Sequence, residues 1–221
     1  MQKWLKGDPN CLLPCWAGIT PGKTTWQEAK QILGEVVDFA RIDESGTCIN
    51  KLCNLIEWQS RAGMDVRGYL IDQANGSIYS IIVKVSKPTS IYRLDQILSQ
   101  YGPPGKVFLH VTTAPGTYNE LSLTLAYPNH QFIITYTWLA VLFGENVVSC
   151  FQDGTAVSLF VKPIPGEWTD DLIKNEVYGN TEIDAIAFKS LQDATDMTID
   201  QFYSTFKNIK GGECIRTPIK T

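Results

Sequence analysis

Between Lys106 and Lys162 the chain holds four runs in which residues of one side recur at every second position: Lys106 to Thr112, Glu120 to Tyr127, Gln131 to Trp138 and Thr155 to Lys162. Successive side chains on a strand point to opposite faces, so each run predicts a strand with one face turned to a core. Turn-forming pairs at Pro115-Gly116, Pro128-Asn129 and Asp153-Gly154 separate them. Short connections of this kind join antiparallel neighbours. An antiparallel sheet is therefore the frame into which the rest of the chain must fit.

Helical signals precede the strands. Thr25 and Glu28 form a capping box, in which hydroxyl and carboxylate each satisfy a free backbone N–H. Trp26, Ala29, Ile32 and Leu33 follow at helical spacing, and Gly34 is expected to end the helix. Strands are predicted over 36–42, 55–59, 66–72 and 78–85, the last two joined at Asn75-Gly76. A second helix from about Ser90 places Ile91, Leu94, Ile97, Leu98 and Tyr101 on one face before Gly102-Pro103-Pro104-Gly105 stops it. The chain thus states one pattern twice, helix then about four strands. The predicted fold is α+β: two tandem helix-plus-antiparallel-sheet repeats forming a continuous sheet, helices on one face. The expected divisions are an irregular arm over 1–23, repeats over 24–88 and 89–163, and a C-terminal extension over 164–221 tied back to the body. Within that extension, 183–189 reads as a strand and Thr198 with Gln201 as a second capping box.

Six cysteines fall as Cys11 and Cys15, Cys48 and Cys53, and the isolated Cys150 and Cys214. Two short-range pairs and one long staple suit an oxidising compartment, although six cysteines allow about 15 pairings. Zinc held by Cys11, Cys15, Cys48 and Cys53, or buried free thiols, are the competing readings. No export signal stands at Met1 to Gly7, which carries Lys3 and Lys6 without an apolar core. The protein is either cytoplasmic or an extracytoplasmic one whose signal or lipid anchor has been replaced by Met1. The cysteines favour the second, secreted or envelope-anchored, with a membrane tether through the removed anchor as an option. The longest apolar stretch, Phe132 to Phe143, is about half of the roughly 20 residues a spanning helix needs.

Gly18-Ile19-Thr20-Pro21-Gly22-Lys23-Thr24-Thr25, followed by Ala29, Ile32, Leu33 and Gly34, resembles the helix entry of the β-lactamase-inhibitor-protein-like superfamily, which includes small outer-membrane assembly lipoproteins. The pattern is Ile-x-x-Gly-x-Thr, a helix, then Leu-Gly. It covers under a tenth of the chain, and the second repeat lacks the Gly-x-Thr entry. The resemblance implies tandem helix-and-sheet units that bind other proteins, with no catalytic residues to carry over.

Composition excludes some functions. A net charge of -4 with scattered lysines and arginines offers no stripe for nucleic-acid phosphates. Gly22-Lys23-Thr24 lacks the upstream strand and glycine of a phosphate loop and reads as a helix entry. His110 and His130 have no serine or cysteine motif around them, Asp170-Asp171 and Asp193 with Asp196 read as turns or helix starts, and no cofactor motif appears. A binding protein without catalysis or cofactor is expected, its partner another protein and its oligomeric state open.

The expected core side of the second repeat is Val107/Leu109/Val111, Leu121/Leu123/Leu125, Phe132/Ile134/Tyr136/Trp138 and Val157/Leu159/Val161. The other side carries Phe108, His110, Thr112, Ser122, Thr124, Thr135, Thr137, Ser158, Phe160 and Lys162. Aromatics among serines and threonines on an open sheet face mark a recognition surface. The candidate binding residues are therefore Phe108, His110, Thr124, Thr135, Thr137 and Phe160, extended by Trp58 and Tyr69 of the first repeat. The alternative function is a glycan or small-ligand binder in which Trp58 and Phe108 stack on a sugar.

Overall fold

A computed structural model describes residues 11–36, 39–43, 55–59, 66–72, 76–85, 92–112, 119–151, 156–164, 166–179, 188–209 and 213–218; over 35–36, 39–43, 55–59 and 66–72 this is the backbone alone. The elements in chain order are α1 (Trp26–Val36), β1 (Phe39–Asp43), β2 (Leu55–Gln59), β3 (Val66–Asp72), β4 (Ile78–Val85), α2 (Leu94–Tyr101), β5 (Lys106–Thr112) and β6 (Asn119–Tyr127). After a 3-10 turn at Pro128–His130 come β7 (Phe132–Phe143), β8 (Asn146–Cys150), β9 (Ala156–Val161), α3 (Asp170–Tyr178), β10 (Phe188–Ser190), α4 (Leu191–Thr195), α5 (Ile199–Phe206) and β11 (Cys214–Pro218). The chain is α+β, with helices and a large antiparallel sheet.

Two compact units divide the chain, and neither is a single stretch of sequence. The first takes 1–86, 128–132 and 158–168, the second 87–127, 133–157 and 169–221.

In the first unit, α1 starts where its capping box dictates. The Thr25 N–H donates to Glu28 Oε2 at 2.8 Å, and the Glu28 N–H donates to Thr25 Oγ1 at 3.3 Å. The first of these bonds, with another from the Thr25 hydroxyl to the same Oε2 at 2.8 Å, holds the Glu28 carboxyl below its usual range. The helix continues through Gly34 to Val36 instead of ending at Gly34. Gly34 is exposed and has nothing within 4 Å of a built Cβ, so the residue costs only its weak helix propensity of about 1 kcal/mol. Trp26, Ala29 and Leu33 are buried along one stripe. Strands β1, β2, β3 and β4 pair antiparallel in sequence order, and β9 lies beside β4. Ile78, Ile81, Val83 and Val85 of β4 are buried, as are Leu159 and Val161 of β9. Upstream of α1, Ile19 and Trp16 form a small bridge and are also buried.

In the second unit the order is β7-β6-β5-β10, with β8 on the distal part of β7 and β11 on β8. Val107, Leu109, Leu121, Leu123, Leu125, Ile134, Tyr136 and Trp138 are buried, as the alternation requires, and Val111 is half-buried. The Tyr127 hydroxyl donates to the Gly102 carbonyl at 3.1 Å, just past α2, whose Leu94, Ile97 and Leu98 are buried. A run of aromatic contacts, Trp138 to Phe151 at 4.6 Å, Phe151 to Phe206 at 5.0 Å and Phe206 to Phe202 at 5.0 Å, brings in α5. The capping box at Thr198 and Gln201 opens that helix as predicted. Asp170 and Asp171 open α3 and Asp193 opens α4, where acidic groups suit the positive end of the helix.

Candidate functional site

Most of the face expected to be open is buried. Phe108, His110, Thr124, Thr135 and Phe160 are all buried, and Thr137 is half-buried. Of the wider set, Ser122 is buried too, and only Thr112 is exposed. Trp58 and Tyr69 lie in β2 and β3, where the backbone register sets Trp58 opposite Gly68 and Tyr69 opposite Glu57; their side chains lie outside the described residues.

In the second unit the physical reason is the C-terminal segment. β10 pairs with β5, setting Phe188 opposite His110 and Ser190 opposite Phe108. Directly opposed residues share a face, so the Phe188 ring lands on this one. It stacks on Phe108 at 4.7 Å with an interplanar angle of 16°. Tyr178, in the last turn of α3, sits 4.8 Å from His110 and 5.7 Å from Phe188. Beneath them the hydroxyls satisfy one another across the strands, Ser122 with Thr137 at 3.0 Å and Thr124 with Thr135 at 3.1 Å. Such pairing removes the penalty for burying a polar face.

The titration of this cluster matches a dry layer. Burial lowers the pKa of His110, and the Lys174 ammonium adds to the effect. Burial raises the Tyr178 phenol, against a smaller opposing effect from the Thr124 and Ser122 hydroxyls. His110 is thus a neutral packing residue in the fold.

The same face reappears, uncovered, farther along β7. That strand runs to Phe143, five residues beyond the predicted end at Trp138. Its period carries Thr135 and Thr137 on to Leu139, Val141 and Phe143, which are 64%, 69% and 72% exposed. Leu142, near the hairpin tip, is 49% exposed. The register extends the surface sideways. Val141 is opposite Val148 of β8, and Val148 is opposite Arg216 of β11. Val148 is half-buried and Arg216 exposed.

The reverse side of these three strands is core. Ala140, Val147, Ser149, Ile215 and Thr217 are buried. The Ser149 hydroxyl donates to the Leu139 carbonyl at 2.8 Å, and the Thr217 hydroxyl to the Ala194 carbonyl of α4 at 3.0 Å. The result is a three-stranded platform with an apolar outer face. A disulfide between the opposed Cys150 and Cys214 clamps its β8–β11 pair.

The sequence matches no family model and no curated protein.

Cys11 and Cys15 are also joined by a disulfide, which takes both out of any zinc set. No cysteine is free among the described residues, and Cys48 and Cys53 lie outside them. His130 sits in the 3-10 turn, its ring 6.4 Å from Phe132. Among the described residues no group of three or more His, Cys, Asp or Glu is placed to hold a metal ion, and no helix is long and apolar enough to cross a membrane. Sequence reasoning missed Leu139, Val141, Phe143, Val148 and Arg216. The signal for the first three is the Phe132–Phe143 apolar stretch, which runs on past the strand end expected at Trp138; Val148 and Arg216 carry no such signal.

Proposed function

We propose that this is an extracytoplasmic interaction protein that acts by binding another protein, without catalysis, through the outer face of β7, β8 and β11. The observation that carries this reading is the exposure of Leu139, Val141 and Phe143 on one face of a hairpin. Large apolar side chains gathered in one place mark interaction surfaces, whereas single ones are ordinary. The disulfides at Cys11–Cys15 and Cys150–Cys214 support an oxidising compartment. The resemblance at Gly18 to Gly34 agrees with a protein binder.

A protein suits this face better than a bilayer. The hairpin turns at Gly144-Glu145, and Glu145 is exposed. A bilayer would take the tip first and would have to desolvate that carboxylate, a cost of several kcal/mol. A flat protein surface can cover the strands and leave the tip in water. The glycan reading loses one of its two stacking aromatics, because Phe108 is buried under Phe188.

The test is a photo-crosslinking amino acid placed at Val141 in living cells, with a second at Gln96, exposed on α2. A discrete protein adduct from position 141 and none from 96 is expected. Lipid adducts alone, or the same adducts from both positions, would contradict the reading.

A further inference from the structure

We propose that the contact of Tyr178 and β10 with β5 is an acid-sensitive latch, closed while His110 is neutral and released when its imidazole takes up a proton. The latch lies on the covered half of the sheet face and is independent of the platform on β7, β8 and β11.

Two contacts lay α3 along β5. Asp170, in the first turn of α3, pairs with the Lys106 ammonium, and Tyr178, in the last turn, lies 4.8 Å from His110. From Lys106 to His110 the strand rises about 13 Å, and from Asp170 to Tyr178 the helix rises about 12 Å, so the two run side by side. Lys174, one turn before Tyr178, falls on the same side of the helix. In register His110 stands opposite Phe188 of β10 and Ser122 of β6. Its ring is buried and takes no hydrogen bond among the described residues. A proton added here would place a cation in a layer of rings with no acceptor waiting for it.

The charges around the ring decide the direction. On β5 the same-face charge is Lys106, already held by Asp170. On α3, Lys174 repels an imidazolium, while Asp171 is exposed and Glu176 lies two positions from Lys174, off that side of the helix. On β10, Lys189 is opposite Leu109 and so on the reverse side. On α4, Asp193 takes the Ser190 hydroxyl at 2.6 Å. β7 brings only the hydroxyls of Thr135 and Thr137 to this face. β6 brings one carboxylate, Glu120, opposite Thr112 and hence about 7–8 Å along the diagonal. Burial and Lys174 outweigh it, since the His110 pKa lies below its ordinary value.

Lifted off β5, the cover returns His110 to water and to an ordinary pKa of about 6.5. The closed form binds the proton less well than the open one. The latch therefore holds fully above that pH and loosens below it, by up to about tenfold in the open population per pH unit until the closed form also protonates. Release can be local because β10 is three residues long, half-buried throughout, and ends the strand order beside β5. Opening bares Phe108 and the hydroxyl pairs Ser122–Thr137 and Thr124–Thr135.

The experiment is carbene footprinting of the full chain, disulfides intact, from about pH 7.5 to about pH 5, on wild type, His110→Gln and Lys174→Gln. Label on Phe108 reads the latch, and label on Leu123, buried on the reverse side of the sheet, reads the core. Melting at neutral pH confirms that each variant is folded. In wild type the Phe108 label should rise about tenfold across the range while Leu123 stays silent. His110→Gln should abolish the rise. Lys174→Gln lets the closed form protonate more readily, so its rise should be smaller and shifted to lower pH. A merely structural role would change the label equally at every pH.

A flat Phe108 label in wild type overturns the proposal, as does a rise that His110→Gln retains. Leu123 labelling in parallel with Phe108 also overturns it, because acid would then be unfolding the whole unit. Should His110→Gln fail to fold, Lys174→Gln decides alone, and an unshifted rise counts against the latch.

Discussion

Phe108→Ala is expected to destabilise the protein by about 3–5 kcal/mol, the range for truncating a fully buried phenylalanine. Phe108 is 3% exposed and stacked on Phe188. Its removal opens a hole between β5 and the C-terminal segment and leaves Phe188 with one less ring to pack against. The comparison is Val141→Asp on the outer face, 69% exposed, where the cost should stay within about 1 kcal/mol, set by strand propensity alone. Urea unfolding measures both, and the difference in midpoints at equal slope decides the matter. Two small effects would mean that the C-terminal segment does not cover this sheet. A large effect at 141 with a small one at 108 would mean that the covered and open parts are exchanged.

The second large effect is at the Cys150–Cys214 bridge. It closes a loop with a sequence separation of 64, for which the chain-entropy model gives about 4 kcal/mol. The Cys11–Cys15 bridge spans a separation of 4, and the same relation gives about 2 kcal/mol. Replacing both cysteines of the long bridge by serine should lower the melting temperature on the order of 10 °C, and the short-bridge variant by about half that. The long bridge also holds β11, which supplies Ile215 and Thr217 to the interior. Calorimetry of the two double variants should rank them in this order. Equal losses would show that β8 and β11 stay paired without the bond.

What the sequence disclosed, and what it hid, follows from how local each signal is. The capping boxes at Thr25–Glu28 and Thr198–Gln201 are complete within four residues, and both appear where expected. The core side of β5, β6 and β7 was legible because its apolar residues keep a period of two. The opposite side was misread because Ser122, Thr124, Thr135 and Thr137 look the same facing water as they do paired across strands. What covers them comes from Tyr178 and Phe188, more than forty positions away, in a segment with little apolar period. The open platform was hidden for another reason. In Leu139-Ala140-Val141-Leu142-Phe143 both phases of the alternation are apolar, so no pattern says which side faces out. Only the buried Val147, Ile215 and Thr217 behind it resolve the direction.

The measurement that tests the account most directly is carbene footprinting of the purified protein at neutral pH. Leu139, Val141 and Phe143 should label heavily, while Phe108, Ile133 and Thr135 on the same sheet should be nearly silent. Heavy labelling of Phe108 and Ile133, or a silent Val141, would contradict the assignment of one half of this face to the core and the other to a partner.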